Sequence, residues 1–433
     1  MTPLTHPAAS RRAGARGVVR ASVLAWLAAA SVGCGDTVDR LLTATTPSRL
    51  GESSFLVPQN APLIVASAIA DFECAYGAYV VASGLAAGEL YDASQTASRW
   101  SYDRREVLPA EAHFSTFSCT AVGVYTPIST ARYTSDQALA KLEEWTDADV
   151  PNRARRRATA ALYAGYSYVL LAEGFCTAAV NLGPELNTTQ LLDSAEARFT
   201  TALALVTPAD SIVRYGALVG RARARLGKGN RTGAATDAAL VPLSFVLNAT
   251  ADNNSGRRNN RVFDQNNASA SGVTVAVPYR NLTVAGAPDP RVRVTDLNRL
   301  AGDQINRLFT QTKYASLTAP LPIATGVEAQ LILAEAQGGA QGVATLNALR
   351  ARAGVALPAL TAAEASSFQA TVYEERRREL FLQGTRWYDV RRGNLTLEPA
   401  TGTAYPKGGS YGSQRCWPLP DVERAANPNL GSA

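Results

Sequence analysis

The sequence predicts a mostly α-helical protein in which helical repeat pairs surround an inserted irregular lobe. Three observations indicate this fold class. Apolar residues recur at helical spacing on both sides of the centre, small residues cluster at regular places in these helices, and residues 243–321 are instead rich in Asn, Gly, Ser, Pro and Arg. With 433 residues, of which 46% are apolar and 18% charged, the chain is long and apolar enough to bury a sizeable core.

The first 33 residues have the pattern of a lipoprotein export signal. Four arginines and no acidic residue precede Cys34, and residues 21–30 form an apolar run that is too short to span a membrane. Gly33-Cys34 then resembles a lipobox, so we expect lipidation of Cys34 and a polar tether over residues 34–58. The alternative is an ordinary secretory signal with a coincidental cysteine. We expect no later segment to span a membrane.

The basic character of the chain comes largely from this leader. The chain has 42 basic and 36 acidic residues, and without the four leader arginines 38 basic residues face 36 acidic ones. The pI of 9.1 therefore gives no reason to expect nucleic acid as a partner.

Helical periodicity organises the mature domain, residues 59–433. The predicted helices cover residues 61–89, 135–145, 152–175, 191–206, 212–226, 231–240, 327–336 and 343–353. Small residues at the crossings and glycine turns at 227–229 and 338–339 are typical of tetratricopeptide-like pairs. We place these repeats at about 59–242 and 322–395. A generic alanine-rich bundle is the alternative.

The centre of the domain, about residues 243–321, has a different composition. It contains short β-type runs at 272–278 and 291–295, and its one helical pattern lies near 297–309. We interpret this stretch as an irregular lobe that carries a binding region, although a decorative insertion has the same composition. Residues 396–433 form a C-terminal tail.

Four cysteines remain after Cys34, and an exported chain meets an oxidising compartment. Three pairings of the four are open. Our expectation is Cys74–Cys119, between neighbouring helical segments, and Cys176–Cys416, which joins the tail to a helix end. Buried free thiols are the alternative.

The sequence offers no set of catalytic residues. His6 and His113 are the only histidines, there is no P-loop and no CxxC, and the GxSxG string at 408–412 has no histidine after it. We therefore expect no enzyme activity, no cofactor and no metal site.

The segment 372–392 carries the most specific pattern. Phe368, Val372, Leu380 and Phe381 form an apolar stripe, Gly384 is placed to end the helix, and Trp387 begins a second helical turn. The segment resembles the ERxxEL…EGxRWxDLRR signature of the SusD/RagB family, with Gln383 where that family usually has Glu. Its signature residues read as a structural clamp of ion pairs and packing: Glu375, Glu379, Gly384, Arg386, Trp387, Asp389 and Arg392. We expect Glu375, Glu379 and Asp389 to pair with Arg376, Arg386 and Arg392.

Two other segments support the resemblance. Residues 327–336 are similar to the late repeat helix of the family, and 416–420 with 427–430 are similar to its PIP…NPNL ending. The resemblance implies tetratricopeptide pairs around an irregular lobe in a non-enzymatic, surface-exposed outer-membrane lipoprotein. It implies capture of oligosaccharides, or peptides, for a SusC-type TonB-dependent transporter.

The resemblance also suggests where a ligand binds. Sugars need aromatic faces and planar polar side chains. The loop 92–105 offers Trp100, Tyr102 and Arg105, and the lobe offers Phe263, Tyr279 and Tyr314. For each aromatic residue, core packing is the competing interpretation.

Two other functions remain open at this point. A periplasmic helical-repeat scaffold would bind proteins and no small ligand. An exported hydrolase would need a carboxylate pair that the sequence does not single out.

Overall fold

Two stretches of paired helices enclose an irregular lobe in the computed structural model, which describes residues 55–116, 122–254, 256–268 and 271–430. The predicted signal, Cys34 and most of the tether lie outside these residues. The helices are α1 (Ala61–Ala86), α2 (Trp100–Arg104), α3 (Ala112–Ser115), α4 (Tyr125–Glu144), α5 (Arg153–Gly174), α6 (Thr188–Leu205), α7 (Ser211–Gly227), α8 (Arg231–Ala238), α9 (Arg261–Asn266), α10 (Gly326–Gln337), α11 (Gly339–Ala351), α12 (Ala362–Ser366), α13 (Phe368–Glu379), α14 (Arg386–Arg392) and α15 (Asp421–Ala426).

Short antiparallel strand pairs complete the fold. The strands are β1 (Leu90–Asp92), β2 (Thr177–Ala179), β3 (Glu185–Asn187), β4 (Val246–Ala249), β5 (Val273–Val275), β6 (Thr283–Val284), β7 (Ala287–Pro288), β8 (Val294–Leu300), β9 (Arg307–Gln311) and β10 (Leu321–Thr325). The pairs are β1 with β5, β4 with β10, β2 with β3, β6 with β7, and β8 with β9. The first two pairs connect the lobe to α1 and to α10.

Successive helices from α4 to α8 pack against each other, and α8 also packs against α10. This confirms the predicted helical-repeat fold class. Local signals begin several of the helices: Asn187 and Gln190 form a capping box at α6, and the Thr325 side chain accepts a hydrogen bond from the Glu328 N–H at α10. The turn before α11 uses Gly338 and Gly339, both at positive φ.

Small residues allow the helices to approach closely. A Cβ atom added at Gly165 of α5 would lie 2.7 Å from the Phe199 ring of α6, and one added at Gly220 of α7 would lie 2.3 Å from the same ring. Phe199 therefore packs directly onto the backbones of both neighbouring helices.

Helix α1 is the longest apolar helix among the described residues. Together with the turn before it, Pro58–Ala86 is long and apolar enough to cross a membrane, and 72% of its apolar window is buried inside the fold. It packs against α4 and α5 and carries Glu73, which accepts a hydrogen bond from the Thr250 N–H. These contacts make α1 the central core helix of the domain.

Two other element predictions were inaccurate. Helix α4 begins at Tyr125 rather than at 135. The helix tolerates Pro127 because this residue lies in the first turn, where a backbone N–H would have no partner within the helix. The helix predicted near 297–309 is wrong, since β8 and β9 form a hairpin there. Its turn is fixed by Asp303, whose Oδ1 accepts hydrogen bonds from the N–H groups of Ile305 and Asn306.

The tail is joined to the end of α5. Cys176 and Cys416 form a disulfide with their Cα atoms 5.0 Å apart. Beside it, the Trp417 N–H donates to Gly174 O at 2.9 Å and the Cys176 N–H donates to Trp417 O at 2.8 Å. Cys74 is buried on α1, and its predicted partner Cys119 lies outside the described residues.

Candidate ligand-binding site

The loop between β1 and α2 is shaped by Asp92. Its Oδ1 accepts hydrogen bonds from the backbone N–H and the hydroxyl of Ser94, both at 2.8 Å. Its Oδ2 lies 3.6 Å from Nε of Arg99. This Asx turn reverses the chain, so that the following exposed residues lead into α2.

Trp100 begins α2 and is partly exposed. Its Nε1 donates to Ser94 O at 3.2 Å, and its ring lies 6.4 Å from that of Tyr405 in a tilted arrangement. Nζ of Lys407 lies 5.3 Å from the centroid of the Trp100 ring. The indole is therefore held in one orientation while part of it remains open to solvent.

Lys407 connects three segments that lie far apart in the sequence. Its Nζ donates to Asp92 O at 2.7 Å, to Asp92 Oδ1 at 2.9 Å and to Ser94 O at 2.9 Å. The same atom lies 3.2 Å from Oδ2 of Asp303 in the turn between β8 and β9. Because the Lys407 side chain is almost fully buried, this ion pair holds the tail, the Trp100 loop and the hairpin together.

The tip of the β8–β9 hairpin presents apolar side chains to solvent beside this loop. Leu297, Leu300 and Ile305 are 41%, 46% and 52% exposed. Asn306 Nδ2 donates to Asp92 O at 3.4 Å, which places the tip next to the loop. Scattered exposed apolar residues are ordinary, but three on one hairpin tip beside a partly exposed tryptophan form a candidate contact surface.

Two arginines flank this surface. Arg99 directly precedes Trp100. Its guanidinium lies close to Gly272, because a Cβ atom built at Gly272 would be 3.2 Å from Arg99 Nη1. Arg299 of the hairpin donates through Nη2 to the Ser271 hydroxyl at 3.2 Å. We call the surface made by Arg99, Trp100, Arg299, Leu300 and Ile305 the Trp100 face. It combines a flat aromatic group, guanidinium donors and apolar side chains.

The structure keeps two of the six predicted ligand residues partly exposed, Trp100 and Phe263. Phe263 lies on α9, where its N–H donates to the capping side chain of Asn260. Neither packs fully into the core.

Tyr102 and Arg105 are core residues in the structure and not the exposed ligand contacts that we expected. The Tyr102 hydroxyl donates to Val122 O at 2.7 Å, and its ring contacts that of Trp417 edge to face. Arg105 is buried and donates through Nε to Gly412 O at 3.1 Å. Both side chains are therefore used to attach the tail to α2 and have no surface left for a ligand.

Tyr279 and Tyr314 are also core residues rather than ligand contacts. The Tyr279 ring stacks on Phe381 with the ring centroids 4.8 Å apart, and Tyr279 is buried. The Tyr314 hydroxyl donates to Leu382 O at 2.9 Å. Both residues pack the lobe onto the segment that follows α13.

The predicted clamp forms in part, because Asp389 pairs with Arg376 and Arg392 as expected. Nε of Arg376 donates to Asp389 at 2.8 Å, and Arg392 bonds both Asp389 and Glu335 of α10. Burial alone would raise the pKa of Asp389, but Arg376 and Arg392 lower it to about 2. These ion pairs fix α14 against α10 and α13.

The remaining signature residues connect this clamp to the lobe, to α1 and to the tail. Glu375 and Glu379 pair with Arg291 of the lobe at 2.6 and 3.3 Å rather than with arginines of the segment. Among the described residues Glu375, Glu379 and Asp389 pair with arginines other than Arg386, so the predicted pairing of Arg386 is wrong. Helix α13 ends at Glu379, before Gly384, which has φ +76° and packs against Tyr79. Trp387 is buried and stacks on Trp417.

Known proteins resemble this chain in sequence over one segment and in fold over most of its length. Residues 327–430 match the model of the SusD family. No curated protein sequence matches the chain. A SusD superfamily protein of Bacteroides vulgatus superposes with a TM-score of 0.66 at 15% identity, over 87% of this chain and 98% of that one.

Two further solved structures are similar. A SusD-like carbohydrate-binding protein of Bacteroides vulgatus has a TM-score of 0.60 at 16% identity, over 86% of this chain and 97% of that one. A laminarin-binding SusD-like protein has a TM-score of 0.61 at 16% identity, over 86% of this chain and 98% of that one. The resemblance seen in the sequence is thereby confirmed: residues 327–430 match the SusD family model, and the chain has the fold of the SusD superfamily structures.

Proposed function

We propose that the protein is a non-enzymatic glycan-binding component of a nutrient-uptake system in the cell envelope. The observation that carries this proposal is the SusD fold itself, shared with a carbohydrate-binding and a laminarin-binding protein over 86% of this chain. The family-model match over residues 327–430 supports it independently of the fold.

The Trp100 face is the proposed ligand site. Sugars present apolar C–H faces that stack on aromatic rings and hydroxyls that bond planar polar groups. Because Lys407 lies over the indole and Ser94 holds its Nε1, the orientation of the Trp100 ring is set before a ligand arrives. Such preorganisation lowers the entropy cost of binding. Arg99 and Arg299 then supply donors for hydroxyls.

We further propose that the protein is anchored in the outer membrane through lipid on Cys34, faces the exterior and delivers its ligand to a SusC-type TonB-dependent transporter. The leader pattern before Cys34 supports the anchor. A lipobox cysteine takes a diacylglyceryl group, and its two acyl chains would anchor the protein stably on the membrane. Oligosaccharides are the proposed cargo, and short peptides are the alternative ligand class.

The ligand is tested by calorimetric titration of the purified full chain. The panel comprises laminari-, xylo-, manno- and malto-oligosaccharides and a set of tripeptides. We expect saturable binding of one oligosaccharide class and at least a tenfold loss of affinity in Trp100→Ala, because stacking is removed. Trp145→Ala, at the end of α4, is the matched control and should bind normally. Equal affinities of all three proteins would remove Trp100 from the site.

The partner is tested by affinity purification from gently solubilised outer membranes, with intact-mass measurement of the N-terminus. Lipid on Cys34 and a co-purifying barrel of transporter size are the expected result. Recovery of an unmodified protein without a barrel, and without saturable sugar binding, would favour a periplasmic scaffold instead.

A further inference from the structure

A second cavity lies on the helical-repeat side of the fold. It has a volume of about 330 Å³ and lies between the first half of α4, the β2–β3 turn and α15. We call it the Tyr133 pocket, after its lining residues Tyr125, Arg132, Tyr133, Asn181, Leu182 and Glu423. None of its elements contributes to the Trp100 face. Its volume is at the low end of the range for small-ligand sites, about 300–1,000 Å³.

Aromatic and apolar groups form one side of the pocket. The Tyr133 side chain is 49% exposed, and the Arg132 guanidinium carbon lies 5.8 Å from its ring centroid. Leu182, 53% exposed, lies in the β2–β3 turn at positive φ. A partly exposed tyrosine ring supported by a guanidinium is a rigid platform on which an apolar ligand face can stack.

Arg132 supplies a buried hydrogen-bond donor. Its side chain is 96% buried, and its Nη1 donates to Asn181 Oδ1 at 2.7 Å and to Asp136 Oδ2 at 3.4 Å. Among the residues that the structure describes, Nε of Arg132 has no hydrogen-bond partner. A buried donor without a partner is costly, so a ligand oxygen that reached it would be favoured.

Glu423 supplies the acceptor. It shares a hydrogen bond with the Tyr125 hydroxyl, which also accepts the Ala179 N–H at 3.3 Å. Burial raises the pKa of Glu423. Asp136 is already paired with Arg132 and with Arg198, whose Nε lies 2.7 Å away. The lining charges therefore balance, and a further carboxylate would be repelled by Glu423.

We propose that the Tyr133 pocket is a second carbohydrate site that takes a single neutral sugar ring. The sugar ring stacks on Tyr133. Its oxygen atoms accept hydrogen bonds from Arg132, and its hydroxyl groups donate hydrogen bonds to Glu423. This inference rests on the proposed function for its ligand class and does not depend on the Trp100 face.

The test uses Trp100→Ala as the background, so that the first site does not contribute. Methyl glycosides of glucose, mannose, galactose and xylose are the probes, with glucuronic acid as the charged comparison, and binding is read by saturation-transfer NMR and titration. We expect one weak saturable site for a neutral glycoside. Adding Tyr133→Ala should weaken it at least tenfold, whereas Tyr133→Phe, which keeps the ring, should retain it.

Glu423→Gln gives an independent readout. It should narrow the preference for the neutral glycoside over glucuronic acid, because the repelling carboxylate is gone. Absence of monosaccharide binding in the Trp100→Ala protein, or binding unchanged by both Tyr133→Ala and Glu423→Gln, would overturn the proposal. Failure of oligosaccharide binding at the Trp100 face with retained binding at Tyr133 would instead count against the first site.

Discussion

Nζ of Lys407 lies 5.3 Å from the centroid of the Trp100 ring while it pairs with the buried carboxylate of Asp92. Replacing Lys407 by Met would keep most of the side-chain volume but leave Asp303 without its cation and Asp92 with only the more distant Arg99. Because removal of one partner leaves a buried charge unpaired, we expect Lys407→Met to lower the free energy of unfolding by roughly 3–5 kcal/mol. Urea unfolding followed by circular dichroism measures this loss.

Lys141→Met is the matched control for that substitution. Lys141 pairs with Glu144 at 3.0 Å on the surface, with side chains 30% and 59% exposed. An exposed pair contributes about 0–1 kcal/mol, so its removal should change stability little. If both substitutions cost the same, Lys407 does not hold the Trp100 loop.

Phe199 and Gly220 provide a test of the helix crossings. A Cβ at Gly220 would lie 2.3 Å from the Phe199 ring, so Gly220→Ala should overpack the contact between α6 and α7. We expect a loss of about 1–3 kcal/mol, against a helix-propensity gain of about 1 kcal/mol. In the double variant with Phe199→Leu, the cost of the alanine should shrink. Additive losses in the thermal unfolding of the four proteins would contradict direct packing.

Most of the helical scaffold could be predicted because its signals are local. Helix α8 begins at the predicted residue, since Asn230 caps it directly after the glycine turn. The hairpin β8–β9 was missed because its apolar spacing also fits a helix. What decides it is the turn at Asp303 and the pairing of Asp296 with Phe309, neither of which is visible in a short window.

The candidate site was predictable only in part, for the same reason. Trp100 could be singled out because it follows a helix in a polar loop. Tyr405 and Lys407 lie some 300 residues later in a glycine-rich tail with no motif of their own. Tyr279 and Tyr314 resembled surface aromatics because the lobe is polar in composition. Their burial depends on Phe381 and Leu382, which approach only after folding.

Glu89 predicts a dependence of stability on pH. The residue is buried, its Oε1 accepts the Leu382 N–H at 3.0 Å, and burial raises its pKa from 4.5 to about 7. The folded protein therefore binds this proton more tightly than the unfolded chain. The stabilisation is fully present below about pH 4.5 and is lost as the pH rises through 7, a difference on the order of 3 kcal/mol.

Glu89→Gln should remove this contribution. Urea unfolding at pH 4.5 and at pH 7.5 measures it, and we expect a smaller fall in stability for the variant than for the natural protein. A residual fall should remain, because burial also raises the pKa of Asp103, to about 8. Glu144→Gln, at an exposed position, should leave the fall unchanged. Identical pH profiles for Glu89→Gln and the natural protein would exclude Glu89 as the cause.

Asp389 tests the signature segment as a structural clamp. Its carboxylate is 1% exposed and binds Arg376 at 2.8 Å and Arg392 at 2.7 Å. Asp389→Asn would leave two buried guanidiniums short of one charge, so we expect a loss of roughly 3–5 kcal/mol in urea unfolding. Asp147→Asn is the control, because Asp147 pairs with Arg153 while 79% exposed, and it should cost less than about 1 kcal/mol. Since the clamp lies outside the Trp100 face, the folded Asp389→Asn protein should keep its sugar affinity. A loss of sugar affinity at unchanged stability would instead show that the segment 372–392 takes part in binding.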